Sequence, residues 1–260
     1  MKDKFNSINL YKTRIDKINP PREWNEKFLN DLKINFTFHS NKLENNSITY
    51  GQTLKFLKEA VTPKEVPVKD CIDIRNHYDV LDSVFKIYKD EINSASIKHL
   101  HSELMRSHLQ WGEDSLFSPG KFKTGFNYVV RSNGALHKYM DPDLVPDEIE
   151  KLCKEVNKRL MEHSFDNLEK HPLTTATYFH NRFLEIHPFE DGNGRVCRII
   201  FNEILLKEGF PPIFINVPDR EKYLKLFETS NSEALEPMLD FFADQLVESL
   251  KIKMEMLNAK

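Results

Sequence analysis

Apolar positions recur at helical spacing along most of the chain. Over residues 22–44, Leu29, Leu32, Ile34 and Phe36 mark one partly buried face, and Pro20 and Pro21 stand just before it. Ser47, Ile48, Thr49 and Gly51 interrupt that pattern, and a second helix is expected over 53–61. Pro63 and Pro67 mark a loop over 62–68. Helical spacing returns over 70–88, where Ile72, Ile74, Tyr78, Leu81 and Phe85 are apolar, and again over 94–106.

The stretch 110–142 has a different rhythm. Residues 126–130 read as a short strand, Asn133-Gly134 is a strong hairpin signal, and 136–140 can form the return strand. Helices resume over 145–161 and 174–185. A further helix, 193–207, presents Val196, Ile199, Ile200, Ile204 and Leu205 as one stripe, with Arg195, Arg198 and Asn202 on another face. Gly209, Pro211 and Pro212 end it. The last amphipathic stretch, 237–257, can serve as core or as a homodimer surface. No repeat or low-complexity segment occurs. The expected fold is all-α with one small β-hairpin, divided into an N-terminal helical region, 1–94, and a core domain with C-terminal helices, 95–260.

Composition narrows the class. The 260 residues are 40% hydrophobic, enough to bury a full core. Charges are mixed and sum to −3, so nucleic acid is not the expected partner. Cys71, Cys153 and Cys197 have no metal or redox spacing, which fits a reducing compartment. Residues 1–10 are polar and lack a signal core, and no apolar run approaches the roughly 18 residues of a membrane span. A soluble, cytoplasmic protein with no membrane partner is expected.

The chemistry concentrates between two helices, in His187-Pro188-Phe189-Glu190-Asp191-Gly192-Asn193-Gly194-Arg195. Gly192 and Gly194 allow close backbone approach at a helix N-terminus, where free N–H groups and the helix dipole favour an anion. Arg195 and Arg198 supply planar forks suited to phosphate oxygens. Asp191 is a hard carboxylate of the kind that holds Mg²⁺ together with substrate phosphates. His187 is a base that titrates near neutrality. Transfer from a nucleotide phosphate to an activated nucleophile uses all of these parts. A capped helix connection with surface arginines would use the same residue types without the chemistry. Walker and protein-kinase signatures are absent.

The run HPFEDGNGRVCR, residues 187–198, resembles the Fic-family signature His-Pro-Phe-x-Asp/Glu-Gly-Asn-Gly/Lys-Arg-x-x-Arg at every defined position. HNRFLEIHPF, IKHLHSELM and GFPPIFINVPDREKYLKLF resemble the flanking family segments. The resemblance implies a protein adenylyltransferase that moves AMP from Mg²⁺-bound ATP to a Ser, Thr or Tyr hydroxyl of a target protein, with self-modification as a further outcome. In that scheme His187 is the general base and Asp191 the metal ligand. Gly192, Asn193 and Gly194 form the anion hole, Asn193 also orients the α-phosphate, Arg195 grips the phosphates and Arg198 reaches the γ-phosphate. Asn202, Tyr223 and Asn231 stand where relatives contact the nucleotide. Lys123, Thr124, Gly125 and Phe126 match a hairpin flap that docks the target by strand addition, with Lys123 where the family often has Arg.

Ser40-Asn41-Lys42-Leu43-Glu44-Asn45 resembles the inhibitory motif Ser/Thr-x-x-x-Glu-Gly/Asn. The resemblance implies that Glu44 pairs with Arg198 and blocks the γ-phosphate, with Ser40 bracing Glu44 from one turn away. A solvated helix end with Asn45 as its cap would show the same residues. Removal of AMP from a modified protein, another donor such as UMP or phosphocholine, and a non-catalytic nucleotide-binding module remain alternatives. His187 weighs against the last, because a sensor needs no base. His137, His171 and His180 read as structural.

Overall fold

The computed structural model describes residues 1–19, 26–87, 91–106, 118–130 and 134–258. They form ten α-helices and one two-stranded antiparallel sheet, the helical class with one small hairpin that was expected, though the first helix and the one over Arg220–Leu226 were not. Helix α1, Lys2–Ile18, was not expected from the polar N-terminus. Phe5, Ile8 and Ile15 lie on one of its faces and pack against α10, Glu236–Asn258. The buried stem of Lys12 extends that face and carries its ammonium 5.5 Å from the Phe210 ring centroid.

Helix α2 spans Glu26–Leu43; the expected start at 22 lies outside the described residues. Its end is a Schellman turn. Asn45 takes φ 65°, the Asn46 N–H donates to the Asn41 carbonyl at 3.2 Å, and the Asn45 N–H donates to the Lys42 carbonyl at 3.1 Å. Glu44 is thereby fixed at the helix cap. Helix α3, Tyr50–Glu59, begins three residues earlier than periodicity suggests. Thr49 and Gln52 form a reciprocal capping box, and that takes precedence over the helix-breaking tendency of Gly51. Helices α4, Val68–Ile87, and α5, Ser94–Leu104, follow. Strands β1, Tyr128–Val130, and β2, Leu136–Lys138, pair with Tyr128 opposite Lys138. Both are shorter than expected, and Asn133 of the expected turn lies outside the described residues.

Helices α6, Val145–Met161, α7, Pro172–Ile186, and α8, Asn193–Lys207, form the centre, with α7 and α8 as its closest-packed pair. The expected apolar stripe of α8 is buried, and so are Arg195, Arg198 and Asn202 on its polar face. Helix α9, Arg220–Leu226, precedes α10, whose Met238, Leu239, Phe242, Leu246 and Leu250 point into the core. The apolar stripe of α10 is therefore spent within the chain. One hydrophobic cluster joins α1, α2 and α4 to α5–α10, so both expected regions share a core.

Candidate active site

Helix α7 ends at Ile186, and His187 takes the left-handed conformation, φ 51° and ψ 63°. A histidine there costs about 1–3 kcal/mol of backbone strain and persists only when its surroundings hold it. The His187 N–H donates to the Phe183 carbonyl at 2.9 Å, and its ring stacks on Tyr139 at 3.8 Å and 15°. Burial pushes the imidazole pKa down to about 4, and the Lys123 charge adds to that. The Leu184 backbone and the Glu44 and Asp191 carboxylates counter it only in part. His187 is therefore neutral near physiological pH, the form that accepts a proton.

Phe189 is fully buried and anchors the loop. Its ring stacks on His101 at 3.7 Å and 4°. His101 Nδ1 accepts the Gly120 N–H at 2.8 Å, so the proton resides on Nε2, which donates to the Asp191 carbonyl at 3.0 Å. One imidazole thus ties the base of the hairpin to the loop. Asn127 donates to the carbonyls of Phe189 and Glu190 at 3.1 and 3.2 Å. Gly192 has φ 79°, and a Cβ there would lie 2.9 Å from Met105 Sδ, so only glycine fits without displacement.

The first turn of α8 aims unpaired N–H groups at this loop, and the helix ladder starts with the Val196 N–H on the Gly192 carbonyl at 3.0 Å. Arg195 is buried beside it. Its Nη1 lies 3.5 Å from Asp73 and its Nη2 3.6 Å from Asp191, both beyond good hydrogen bonds, while Nε has no partner. A buried guanidinium with unfilled donors is costly, and a phosphate would fill them.

Arg198 is already filled. Its Nε donates to Ser40 Oγ at 3.0 Å, and its Nη2 donates to the Ser40 carbonyl at 2.9 Å and to Glu44 Oε1 at 2.7 Å. The Glu44 carboxylate lies against Gly194, where any Cβ would collide with it. That carboxylate is thus at the negative end of the α2 dipole and at the positive end of the α8 dipole. The first is unfavourable; Arg198 and α8 offset it. Glu44 thus places a carboxylate of the chain's own at the N-terminus of α8.

The expected residues divide into two groups. His187, Asp191, Gly192, Gly194, Arg195 and Arg198 converge with Ser40 and Glu44 at the start of α8. Ser40 braces Arg198 and not Glu44, which corrects the expected contact. Three others, Asn193, Asn202 and Tyr223, are buried with partners inside the fold, and a fourth, Asn231, is exposed. Both polar atoms of the Asn193 amide bond to the Phe189 backbone, at 2.7 and 2.9 Å, so its side chain shapes the loop. Asn202 binds the Arg198 carbonyl and both backbone groups of Ile213. Tyr223 is buried, with its hydroxyl 2.7 Å from His180 Nε2 behind Arg198. Asn231 Oδ1 accepts the N–H groups of Glu233 and Ala234 within its own turn. These bonds give each of the four a positioning task within the fold.

The flap residues also divide. Thr124, Gly125 and Phe126 are exposed, and Gly125 N–H points at Glu190 Oε1, 3.4 Å away. Lys123 is buried: its N–H donates to the Pro188 carbonyl at 2.9 Å and its Nζ to the Ile186 carbonyl at 3.3 Å. Burial lowers its pKa to about 8. The hairpin still presents Phe126, Tyr128, Val130 and Leu136 to solvent.

His101, Tyr139, Asn127, Asp73 and Arg220 were missed by sequence reasoning. Only His101, in the IKHLHSELM segment, and Arg220, in GFPPIFINVPDREKYLKLF, lie in stretches that carried a signal. Among the described residues no group of three or more His, Cys, Asp or Glu side chains could hold a metal. Asp191, with its side chain 53% exposed beside the anion site, suits Mg²⁺ bound chiefly through substrate phosphates. Among the described residues no helix is long and apolar enough to cross a membrane.

Comparison with known proteins agrees with this geometry. Residues 91–205 match the Fic/DOC family. The protein adenylyltransferase Fic of Nematostella vectensis is 27% identical over 207 residues, 79% of this chain and 45% of that protein. That of Drosophila persimilis is 29% identical over 213 residues, 80% of this chain and 38% of that protein. This chain therefore spans less than half the length of either relative. A Fic domain containing signaling protein from Bacteroides thetaiotaomicron superposes with a TM-score of 0.86 at 24% identity, covering 98% of this chain and 97% of that one, and so shares the fold. Over residues 91–205 this chain is thus similar to the Fic/DOC family, and its fold is that of a Fic-domain protein.

Proposed function

We propose that this chain is a protein adenylyltransferase that transfers AMP from ATP to a Ser, Thr or Tyr hydroxyl of a target protein, and that Glu44 holds it in check. The observation that carries this reading is the 2.7 Å pair between Arg198 and Glu44 at the N-terminus of α8, in the same loop as a neutral, buried His187. An internal carboxylate on an anion site implies an external anion that competes for it.

His187 takes the proton of the target hydroxyl. The oxygen attacks the α-phosphorus, the new P–O bond forms, and the bond to pyrophosphate breaks. The first-turn N–H groups of α8 and the unfilled donors of Arg195 receive the phosphate oxygens. Asp191 would hold Mg²⁺, which when bound neutralises phosphate charge. The exposed apolar hairpin edge, with Thr124, Gly125 and Phe126 at its base, docks an extended target segment by strand addition. Residues 1–94 act as the regulatory region and 95–260 as the catalytic one. The three free, buried cysteines suit a cytoplasmic setting.

The test is incubation with α-labelled ATP and Mg²⁺. Glu44→Gly should label protein well above the unsubstituted chain, and Glu44→Gly/His187→Ala should lose the label. Release of AMP from a pre-labelled protein, with no label incorporated by any variant, would replace this reading with the reverse reaction. ATP binding without either outcome would make the chain a nucleotide sensor.

A further inference from the structure

We propose that Arg220 is the positioning residue of the Glu44 brake, a latch that ties the start of α9 to the end of α2. The proposal rests on reading Glu44 as a brake. Arg220 Nε donates to the Leu43 carbonyl at 3.0 Å, and its Nη2 donates to Asn45 Oδ1 at 3.1 Å. These two acceptors flank Glu44 on either side in the chain.

The physical need is specific. The last carbonyls of a helix lack partners within it, and a cation there satisfies them and suits the helix dipole. Glu44 brings the wrong charge to that end of α2. Its own side chain is 40% exposed, and Arg198 is its one ion-pair partner among the described residues. Ser40, one turn earlier, is held independently by Arg198, so α2 as a whole stays docked without Arg220. What Arg220 fixes is the final turn, and with it the aim of the Glu44 carboxylate.

The segment before Arg220 makes the same connection. The Val217 N–H donates to His39 Nδ1 at 3.1 Å, and the His39 ring stacks on Phe214 at 5.1 Å and 9°. Residues 214–220 thus grip one side of the last two turns of α2. On the other side, the Asn46 side chain donates to the Asp70 carbonyl at 3.0 Å. The brake is held between the segment that follows α8 and the start of α4. Displacement of either one loosens it.

The test uses the full chain with Arg220→Ala and Arg220→Lys, alone and with Glu44→Gly, scored by labelling from α-labelled ATP. Arg220→Ala should raise labelling at least about fivefold over the unsubstituted chain, the scale of one partly exposed charge-assisted hydrogen bond. Arg220→Lys, which keeps the charge but one fork fewer, should fall between. Added to Glu44→Gly, Arg220→Ala should change labelling less than about twofold, because no brake remains to position. Amide exchange at 43–48 should quicken in Arg220→Ala while exchange in α8 stays unchanged. Quickened exchange with labelling at the unsubstituted level, while Glu44→Gly is active, would overturn the proposal. So would a loss of labelling when Arg220→Ala is added to Glu44→Gly, which would place Arg220 in the catalytic machinery. If Glu44→Gly itself takes no label, the transferase reading fails by itself. The latch is then judged by exchange and by ATP affinity, and it is overturned if Arg220→Ala alters neither.

Discussion

Asn193 bonds to both backbone groups of Phe189: its Nδ2 donates to the Phe189 carbonyl at 2.7 Å and its Oδ1 accepts the Phe189 N–H at 2.9 Å. The loop between α7 and α8 is therefore closed by its own side chain before any ligand arrives. Asn193→Ala leaves the buried Phe189 N–H unsatisfied, at about 1–3 kcal/mol, while the Phe189 carbonyl keeps Asn127 as a donor. Each kcal/mol lowers the melting temperature of a chain this size by about 2–4 °C. Thermal melts should show that loss, and labelling in the Glu44→Gly background should fall at least about tenfold as the anion hole loses its shape. A stable but inactive Asn193→Ala would instead return the side chain to direct phosphate contact.

Ser40 holds the Nε of Arg198 and thereby turns the guanidinium toward Glu44. Ser40→Ala removes that one acceptor and leaves the Ser40 carbonyl and Glu44 in place. Labelling should rise by a fewfold, the scale of a single hydrogen bond of about 1 kcal/mol, and remain below that of Glu44→Gly. Labelling equal to the unsubstituted chain would show that the Ser40 carbonyl and Glu44 suffice to hold Arg198.

Lys123 sets the basicity of His187 from below the loop. Its charge lowers the His187 pKa, second only to burial. Lys123→Met keeps the site dry and removes the charge. The pH–rate profile of Glu44→Gly/Lys123→Met should therefore have its acid limb displaced to higher pH than that of Glu44→Gly. An unmoved limb would confine Lys123 to capping the Ile186 carbonyl.

Acid should unfold this protein through its histidines. Burial holds His39 and His187 down to about 4, and His171 and His180 down to about 3. The unfolded chain binds protons at these groups near pH 6.5, whereas the folded chain does not until pH 4 or below. The unfolded state thus holds more protons across that window, so stability is complete above about pH 6.5 and is lost as pH falls toward 4. Melting temperatures measured from pH 7.5 to pH 5 should fall steadily. A flat profile would mean that the folded protein takes up these protons without strain.

Periodicity alone placed most of the later helices, though not α9. The 193–207 helix matches α8 at both ends, and 145–161 matches α6, because glycine, proline and apolar spacing agree there. The chemical loop was legible for the same reason: its residues are contiguous, and their types suit one chemistry. Helix α1 was passed over because Phe5, Ile8 and Ile15 are few among polar neighbours, and their common face has meaning only against α10. The division of labour within the site was decided by tertiary structure. Asn193, Asn202 and Tyr223 have the hydrogen-bonding groups a nucleotide needs, but burial obliges those groups to find partners inside the fold.

The sequence by itself determined a helical protein with a candidate anion loop, a base, and a short motif, residues 40–45, that carries Glu44. It could not determine that the Glu44 carboxylate lies on Gly194, that Asp73 flanks Arg195, or that Arg220 grips the residues on either side of Glu44. Those pairs are separated by more than a hundred residues, and no local spacing encodes them. The first two exist because α8 is buried on nearly all sides. Its cations must then draw partners from α2 and α4, the helices that the shared core packs against it.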